Sequence, residues 1–322
     1  MPDVACLGLL VADTVGTPID NLPARGTLAL IDRIELHVGG NAANTSVALA
    51  KLGVSVATLG KVGNDGFGDF MIGALTKHGV DTRGVVCSDA APTAATIVTV
   101  HSDAERSFLH VAGANAVYTE NEVDWEIAGG ARILYVAGLQ LLTALEGRGI
   151  ALVLQEAKRR DITTVLDTVM NPRSAGWEGL APALPHLDWA IPSYEEAAAL
   201  TGEADPLSQA RRLHDAGAAN VAIKMAAQGC LIAPALAEAF TIPALPVTAI
   251  DALGAGDAWA AGFLTGLLHE WPLEQTARFA NAVGACCVQA LGATTGVRSL
   301  EETLALLPVH ESAENPRQVP RR

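Results

Sequence analysis

The chain has 322 residues, half of them apolar and 17% charged, and its formal net charge is −14 at pH 7. This composition is typical of a compact globular protein and not of a disordered chain. Nucleic acids and anionic membranes select basic surfaces, so the negative charge argues against both as partners. No apolar run reaches the roughly 18 to 20 residues that a membrane-spanning helix needs.

The five cysteines are scattered, odd in number and without a Cys-x-x-Cys pair. Disulfide frameworks and zinc sites use paired, regularly spaced cysteines, so we expect reduced, buried thiols and a cytoplasmic protein. The first apolar run, Val4–Leu10, has no basic region ahead of it. It therefore predicts a buried strand and not a signal peptide.

Short apolar runs alternate with amphipathic segments along most of the chain. This repetition of strand and helix predicts an α/β fold with a central, mainly parallel β-sheet that is flanked by helices. The predicted strands are Val4–Leu10, Val54–Leu59, Ile133–Val136, Thr163–Leu166, Trp189–Ile191 and Val221–Ile223. The predicted helices are Asn44–Leu52, Phe67–His78, Ile150–Arg160, Glu195–Leu200, Gln209–Ala216, Asp257–His269 and Leu273–Ala290.

Two stretches, 14–38 and 93–112, break this rhythm because apolar and polar residues alternate in them. Period-two alternation indicates strands with one face exposed to water. We therefore predict a small antiparallel β-sheet that covers one edge of the main sheet as a lid. The chain has no repeats and no low-complexity linker, so it predicts a single domain over 1–310 and a frayed tail over 311–322.

The first glycine-rich segment, Val38–Thr45, leads into an apolar helix. Gly39 and Gly40 would let the backbone approach a ligand closely, and Asn41 and Asn44 would offer amide donors and acceptors where the helix begins. An ordinary loop with an asparagine cap would use the same residues. The segment alone leaves both interpretations open.

The second glycine-rich segment is Asp251-Ala-Leu-Gly-Ala-Gly-Asp257, again followed by an apolar helix. Its Gly254, Ala255 and Gly256 would gather N–H donors at the positive end of the helix dipole, where phosphate binds readily. Asp257 would lie in the first turn, and a plain N-cap there would be worth about 1 kcal/mol. A cap does not need three small residues before it, whereas a general base beside an anion site does.

Other phosphate-binding and catalytic motifs are missing. The sequence has no G-x-x-x-x-G-K-[ST] loop, no G-x-G-x-x-G after the first strand and no G-x-S-x-G elbow. It also has no histidine cluster with the spacing of metal ligands. Phosphoryl transfer by this chain would therefore have to use the second glycine-rich segment as its phosphate cradle.

The two segments together resemble the two signatures of the ribokinase-type (PfkB) carbohydrate kinase family. Gly39-Gly40-Asn-Ala-Ala-Asn44 matches the Gly-Gly-x-x-x-Asn signature, and Asp251–Asp257 resembles the Asp-Thr-x-Gly-Ala-Gly-Asp signature. The resemblance runs from about residue 4 to about residue 305. Family-like segments lie around both signatures at Gly8–Asp13, Lys61–Gly68, Asp167–Arg173 and Lys224–Gly229.

The resemblance implies an α/β, ribokinase-like fold, with a small β-sheet lid that closes over a sugar. It implies ATP and Mg²⁺ as the other ligands, and transfer of the γ-phosphoryl group to a sugar hydroxyl, most simply a terminal hydroxymethyl. Asp257 matches the family's general base. Gly254, Ala255 and Gly256 match its anion hole.

The same resemblance implies the other site residues. The sugar-binding positions are Asp13, Gly39, Gly40, Asn41, Asn44, Asp257 and, on a looser alignment, Gln140. The nucleotide-binding positions are Lys224, Gly229, Gly254, Gly256 and Asn281. Glu196 matches a residue that is linked to Mg²⁺ through water, and Asp251 resembles the start of a loop that binds K⁺ in many relatives.

Three residues depart from the family's pattern. Ala252 stands where Thr or Ser is usual, and a hydroxyl contact near the phosphate or cation loop is lost. Ser193 replaces the amide of an Asn-x-x-Glu motif, so metal affinity would differ. Ala226 replaces a glycine in Lys-x-Gly-x-x-Gly and would crowd the nucleotide loop. The base and the anion hole remain, so we expect an active enzyme.

A nucleoside kinase is the nearest alternative, because relatives use the same machinery on adenosine. Adenosine would need an aromatic cradle, but Phe108 is the only aromatic residue in the two lid stretches. Asp13, Asn41 and Asn44 favour a polyhydroxylated ligand instead. A non-catalytic sugar- or nucleotide-binding protein is a second alternative, against which the presence of Asp257 argues.

A sugar phosphate as acceptor would need further cations near the pocket, and Arg33, Lys61, Arg106 and Arg173 are available. The simplest interpretation of Arg106 is a solvated charge in a turn. That of Arg173 is an ion pair in the core. The exposed edge of a lid sheet also makes a homodimer through the lid plausible.

Overall fold

The computed structural model describes residues 1–103 and 105–307, which contain two β-sheets and the helices around them. The strands are β1 (Val4–Gly8), β2 (Val11–Thr17), β3 (Arg33–Gly39), β4 (Val56–Gly63), β5 (Asp81–Ser88), β6 (Ala95–Val100), β7 (Arg106–Val111), β8 (Ile133–Ala137), β9 (Thr163–Asp167), β10 (Trp189–Ala190), β11 (Asn220–Lys224), β12 (Cys230–Ala233) and β13 (Phe240–Ile242).

The α-helices are α1 (Asn41–Lys51), α2 (Gly66–Lys77), α3 (Trp125–Ala128), α4 (Arg148–Arg159), α5 (Trp177–Leu180), α6 (Tyr194–Thr201), α7 (Pro206–Asp215), α8 (Ala255–Leu268), α9 (Leu273–Cys287) and α10 (Leu300–Leu304). None of the helices in the described ranges is both long and apolar enough to cross a membrane.

The main sheet has nine strands in the order β13-β12-β11-β10-β9-β8-β1-β4-β5. All neighbours from β11 to β5 run parallel, and only β12 and β13 are antiparallel to the strands beside them. The main sheet is therefore mainly parallel, as the sequence predicts. Each of the six predicted strands is found, with boundaries shifted by a few residues.

The sheet is buried on both faces. Alternate residues of β1 point in opposite directions, so Val4 and Cys6 join a core with α1, α8 and α9, whereas Ala5 and Leu7 join a second core with α4. This double burial explains why the strands are continuous apolar runs without alternation. It also fixes helices on both sides of the sheet.

The second sheet is the lid, and its strand order is β3-β2-β6-β7. The outer pairs are antiparallel, but β2 and β6 run parallel, so the prediction of a purely antiparallel lid is wrong. The cause is connectivity. Strands β2 and β6 follow directly after β1 and β5, which run in the same direction in the main sheet, so both enter the lid in parallel.

The functional residues gather at one edge of the main sheet. Asp167 and Lys224 end β9 and β11, and the lid begins just after β1. Ligands of parallel α/β sheets bind outside the carboxyl ends of the strands. The prediction of one domain over 1–310 stays a prediction, and the tail over 311–322 lies outside the described residues.

Candidate active site

The buried carboxylate of Asp257 lies in the first turn of α8, between the two glycine-rich segments. Asn41 Nδ2 donates to its Oδ1 at 2.8 Å, and Asn44 Nδ2 donates to its Oδ2 at 2.8 Å. Thr45 Oγ1 donates to the backbone oxygen of Asp257 at 3.3 Å. The structure therefore brings together two segments that are more than 200 positions apart, with separations of 216 and 213 for the two amide contacts.

The environment of Asp257 raises the pKa of its carboxyl group towards neutral pH. Burial raises the pKa of its carboxyl group to about 6, against the hydrogen bonds from Asn44 and Asn41 and the charge of Lys224, which lower it. A carboxylate of this pKa is ionised at neutral pH and is more basic than an exposed aspartate. These are the properties that a general base requires.

The backbone before Asp257 forms a concave N–H surface. Gly254 caps α8 with a φ of 73°, and a Cβ there would collide with the backbone of Ala293. The first N–H groups of a helix have no intrahelical acceptor. Ala255 N donates to Ala252 O at a long 3.3 Å, and the N–H groups of Gly256 and Asp257 follow in the same turn. This turn lines a cavity of about 300 Å³.

Lys224 provides a positive charge on the opposite wall of this cavity. Its ammonium group donates to Asp167, whose Oδ2 also accepts from the Tyr135 hydroxyl at 3.2 Å. Burial alone would lower the pKa of Lys224, but the charges of Asp167 and Glu196 outweigh it and raise that pKa. Burial raises the pKa of Asp167, whereas the charge of Lys224 lowers it, and the two groups form a buried ion pair.

Glu196 lies in the same cavity wall and also has a structural role. Ser193 Oγ accepts from Glu196 N at 3.3 Å, and Glu196 Oε2 accepts from Ser193 N at 2.9 Å, which together form a capping box at the start of α6. Thr168 Oγ1 donates to the same Oε2 at 2.8 Å. Serine therefore fulfils the capping role at this position, and the predicted link of Glu196 to Mg²⁺ stays a prediction.

A larger cavity of about 880 Å³ lies between the lid and the body, and Asp13 lines both cavities. Asp13 is packed so closely against Gly39 that a Cβ at that glycine would overlap its carboxylate. Burial raises the pKa of Asp13, whereas the Thr96 hydroxyl and His37 lower it. The predicted sugar residues around Gly39 and Gly40 are thus brought to one place.

Polar side chains form a row across the inner face of the lid. Strand register pairs His37 with Asp13, Asp13 with Thr96, and Thr96 with His110, so all four project to the same side. Thr96 Oγ1 lies 3.1 Å from His110 Nδ1. The inner face can therefore form several hydrogen bonds to a polar ligand.

Two buried polar atoms of predicted sugar-binding residues, one of them in Asn44 at the smaller cavity, have no hydrogen-bond partner within the described residues. They are Oδ1 of Asn44 and Nε2 of Gln140, in residues that are 5% and 3% exposed. Gln140 is otherwise engaged, since its Oε1 accepts from Val169 N at 3.0 Å. Unsatisfied buried groups are uncommon and call for a partner, which a bound ligand would supply.

Two of the predicted nucleotide residues, Gly229 and Asn281, line neither of these cavities. Gly229 has a φ of 94°, and a Cβ there would collide with the oxygen of Ile242. Asn281 accepts from Trp259 Nε1 at 2.8 Å and donates to the oxygens of Ile242 and Pro243 at 3.1 and 3.0 Å. Its amide thus ties α9 to α8 and to the end of β13. Its contact with nucleotide stays a prediction.

Two predictions about single arginines are wrong. Arg106 is not a solvated turn charge, because it begins β7 on the lid and donates to Asp251 Oδ2 at 2.8 Å. Arg173 is exposed, so it is not a charge buried in the core. Of the other candidate cations, Lys61 binds Glu122 at 2.6 Å and Arg33 binds Glu35 at 3.2 Å.

The sequence assigned no role to Asp167, although its segment was part of the family resemblance. A signal was present, because Asp167 is a charged residue directly after a buried strand. No such signal marks Arg106, whose partner is 145 positions away in the chain.

Residues 1–300 match the family model described as pfkB family carbohydrate kinase. The chain belongs to this family. It is 32% identical to the ribokinase of Haemophilus influenzae over 282 residues, which cover 85% of this chain and 88% of the relative.

Solved structures of family members agree with the fold. The Arabidopsis thaliana ribokinase complexed with ribose and ATP has a TM-score of 0.82 at 24% identity, covering 94% of this chain and 98% of that one. A putative ribokinase II from E. coli in complex with ATP and Mg²⁺ has a TM-score of 0.80 at 22% identity, covering 95% and 98%. This chain is an ATP-dependent sugar kinase of the PfkB family with a ribokinase-like fold.

Ala226 adopts a φ of 47°, in the left-handed region that favours glycine. Relief of this strain in Ala226→Gly should exceed the extra entropy of the unfolded chain and stabilise the protein by about 1 kcal/mol, or about 2 °C in Tm. Calorimetry measures the change.

Ala227→Gly is the matched control, since Ala227 lies in the same exposed turn without a positive φ. It should lower Tm. A similar fall for Ala226→Gly would contradict the strain at that position.

Proposed function

We propose that the protein transfers the γ-phosphoryl group of MgATP to a hydroxyl of a sugar or sugar derivative, most simply a terminal hydroxymethyl, with Asp257 as the general base. The proposal rests on the position of the Asp257 carboxylate. Asp257 lines the smaller cavity together with Asp13 from the lid and the N-terminal turn of α8, and burial raises its pKa to about 6. An acceptor hydroxyl and a phosphate can meet in such a cavity.

The acceptor would bind under the lid. Asp13, Asn41, Asn44 and the backbone at Gly39 and Gly40 would bind its hydroxyl groups. The unpartnered Oδ1 of Asn44 can accept a hydrogen bond from an acceptor hydroxyl while its Nδ2 donates to Asp257. The same residue would then fix both the base and the acceptor, which lowers the entropic cost of reaching the reactive geometry.

Gln140 would complete the acceptor site with its unpartnered Nε2. An amide can donate to an uncharged hydroxyl or to a carboxylate. It therefore suits a neutral sugar and a sugar acid alike, and the lid side chains would choose between them.

The transferred phosphate would lie against the N-terminus of α8. Negative charge develops on its oxygens during transfer, and the N–H groups of Ala255, Gly256 and Asp257 with the cap at Gly254 would stabilise it. Lys224 would add a positive charge from the opposite wall. Mg²⁺ would neutralise the charge of the phosphates, and Glu196 beside Thr168 is a carboxylate suited to hold it through water.

The nucleotide would extend past the turn at Gly229, which is buried and packed closely against the backbone of Ile242 and Pro243. Asn281 lies on α9 behind this wall. Its three hydrogen bonds support the segment after β13, so its contribution to nucleotide binding would include positioning of the wall.

The lid favours a sugar over a nucleoside. Its inner face carries the polar row His37, Asp13, Thr96 and His110, and Phe108 in β7 is 55% exposed. A nucleoside remains the alternative acceptor, because Phe108 lies on the inner side in register with Val98. A non-catalytic binding role is disfavoured, since the base and the anion turn are both intact.

We also propose that two copies of the chain pair through the outer face of the lid. Strand register puts Leu36, Thr14, Ile97 and Leu109 on the face opposite to the polar row, with Leu36 also at the margin of the large cavity. A second lid would bury this apolar surface, which monomers rarely expose. Its apolar residues are Ile34, Leu36, Ile97, Leu109 and Val111, with exposed fractions of 68, 38, 52, 60 and 50%.

Asp257→Asn removes the proton acceptor and keeps the side-chain shape, although its amide nitrogen cannot accept one of the two hydrogen bonds from Asn41 and Asn44. We expect kcat to fall by about two to four orders of magnitude, with little change in ATP affinity. A coupled assay of ADP release, run over sugars, sugar acids, sugar phosphates and nucleosides, measures turnover. Calorimetric titration measures nucleotide binding.

Asp205→Asn controls for a simple capping role. Asp205 caps α7 through Ser208 N at 2.8 Å, far from both cavities. If Asp257→Asn kept near-normal turnover like this control, the base assignment would be wrong.

The raised pKa of Asp257 predicts an acidic limb in the pH profile. The base must be ionised to accept a proton, so kcat/KM for the acceptor should fall about tenfold per pH unit below about pH 6. Asn41→Leu removes one amide that stabilises the carboxylate, so the limb should move to higher pH.

Thr45→Val is the control for the pH profile, because Thr45 donates to the backbone oxygen of Asp257 and not to its carboxylate. It should leave the limb in place. A limb that is unchanged in Asn41→Leu would show that another group titrates.

Leu109→Glu introduces a charge into the outer lid face and should convert a dimer into a monomer in sedimentation equilibrium. Leu236→Glu is the control, because Leu236 is fully exposed on the body outside the lid. A monomeric wild-type protein at micromolar concentration, or a dimeric Leu109→Glu variant, would refute pairing through the lid.

A further inference from the structure

An ion pair joins the lid to the loop that precedes the anion turn. Arg106 Nη2 at the start of β7 donates to Asp251 Oδ2 at 2.8 Å, and the two side chains are 22% and 3% exposed. Exposed ion pairs contribute little, but loss of one partner from a buried pair leaves an uncompensated charge. The carboxylate of Asp251 therefore depends on a cation that the lid supplies.

Asp251 also fixes two other segments through backbone donors. Its Oδ1 accepts from Leu253 N at 2.9 Å, and its Oδ2 accepts from Gly292 N at 2.8 Å. Gly254 is packed directly against Ala293, so the segment around Gly292 forms one wall of the anion turn. A displacement of the Asp251 carboxylate would thus disturb the backbone that cradles the phosphate.

These contacts do not suit a monovalent cation at Asp251, which the family resemblance predicted. Three donors already occupy the carboxylate, and a guanidinium lies on the oxygen that faces the lid. A K⁺ ion beside Asp251 would be repelled by the guanidinium at contact distance. The two cations therefore compete for one carboxylate.

We propose that Arg106 is a built-in cation for the Asp251 loop, takes the place of K⁺ and positions the anion turn when the lid is closed. Arg106 is a positioning residue, because it acts through Asp251 and the adjoining backbone. The charge arrives with the lid, which couples binding of the acceptor to the geometry of the phosphate cradle. The proposal rests on the proposed function for its catalytic consequence, but the competition with K⁺ is independent of it.

Thermal unfolding tests the competition without any acceptor. We would compare Arg106→Gln, wild type and Arg33→Gln in potassium chloride and in tetramethylammonium chloride at equal ionic strength. Removal of the guanidinium opens the carboxylate to K⁺, so K⁺ should raise the Tm of Arg106→Gln by about 2 °C, through binding to the native state. Wild type should be indifferent to the exchange.

Arg33→Gln removes the same charge from the same sheet but from an arginine that is paired within its own strand. It should behave like wild type, which separates the local effect from a change in lid charge. The proposal would be overturned if K⁺ raised the Tm of Arg106→Gln by no more than it raises the Tm of wild type and of Arg33→Gln. If the variant does not fold, wild type alone decides, since a K⁺-dependent Tm would overturn it.

Turnover gives the second readout once an acceptor is found. With bulky organic cations kcat of Arg106→Gln should fall about tenfold, with K⁺ restoring most of it, whereas Arg106→Lys should keep much of its activity in either salt. The double variant Arg106→Gln with Asp251→Asn should lose the K⁺ response, because no carboxylate remains. Equal K⁺ responses in all variants would overturn the proposal. Absence of any kinase activity would instead refute the proposed function and leave the thermal result intact.

Discussion

The burial of one carboxylate organises this molecule. A charged aspartate inside a protein must be compensated by hydrogen bonds or opposite charge. Asp257 obtains both from the N-termini of two helices, since it lies in the first turn of α8 and receives its amide hydrogen bonds from the first turn of α1. The positive ends of both helix dipoles converge on it. The packing of α1 against α8 therefore also fixes the position of the base.

Close backbone approach is the second constraint on the site. Side chains are excluded at Gly39 by Asp13, at Gly254 by Ala293 and at Gly229 by Ile242. Gly39 thus makes room for a carboxylate, whereas Gly254 and Gly229 each bring two segments of backbone together. Ala226 departs from this rule by taking a left-handed φ with a side chain, in the turn that precedes Gly229.

The lid uses a single alternation for two purposes. Because adjacent residues of a strand face opposite sides, His37 and Asp13 face the cavity whereas Thr14 and Ile97 face away from it. A shift of one residue in register would exchange the polar and the apolar surface. The ion pair of Arg106 with Asp251 holds the inner face to the body, so the lid contributes a charge to the site as well as a cover.

The sequence by itself determined the mainly parallel sheet and the helices on both faces, because double burial makes strands into apolar runs that alternate with amphipathic segments. It also indicated a phosphate cradle at Asp251–Asp257, since a plain helix cap does not need three small residues before the aspartate, whereas the first glycine-rich segment alone left an ordinary capped loop open. The three-dimensional contacts of Asp257 with Asn41 and Asn44 could be expected only through the family resemblance.

Only the tertiary structure decided the direction of β6 beside β2, the pairing of Arg106 with Asp251, and the exposure of Arg173. A charged residue looks the same in sequence whether it meets water or a carboxylate. The direction of a lid strand depends on which strand of the main sheet precedes it in the chain. The partner of Arg106 is 145 positions away. Local pattern carries information about burial and period, whereas such contacts depend on how distant segments pack.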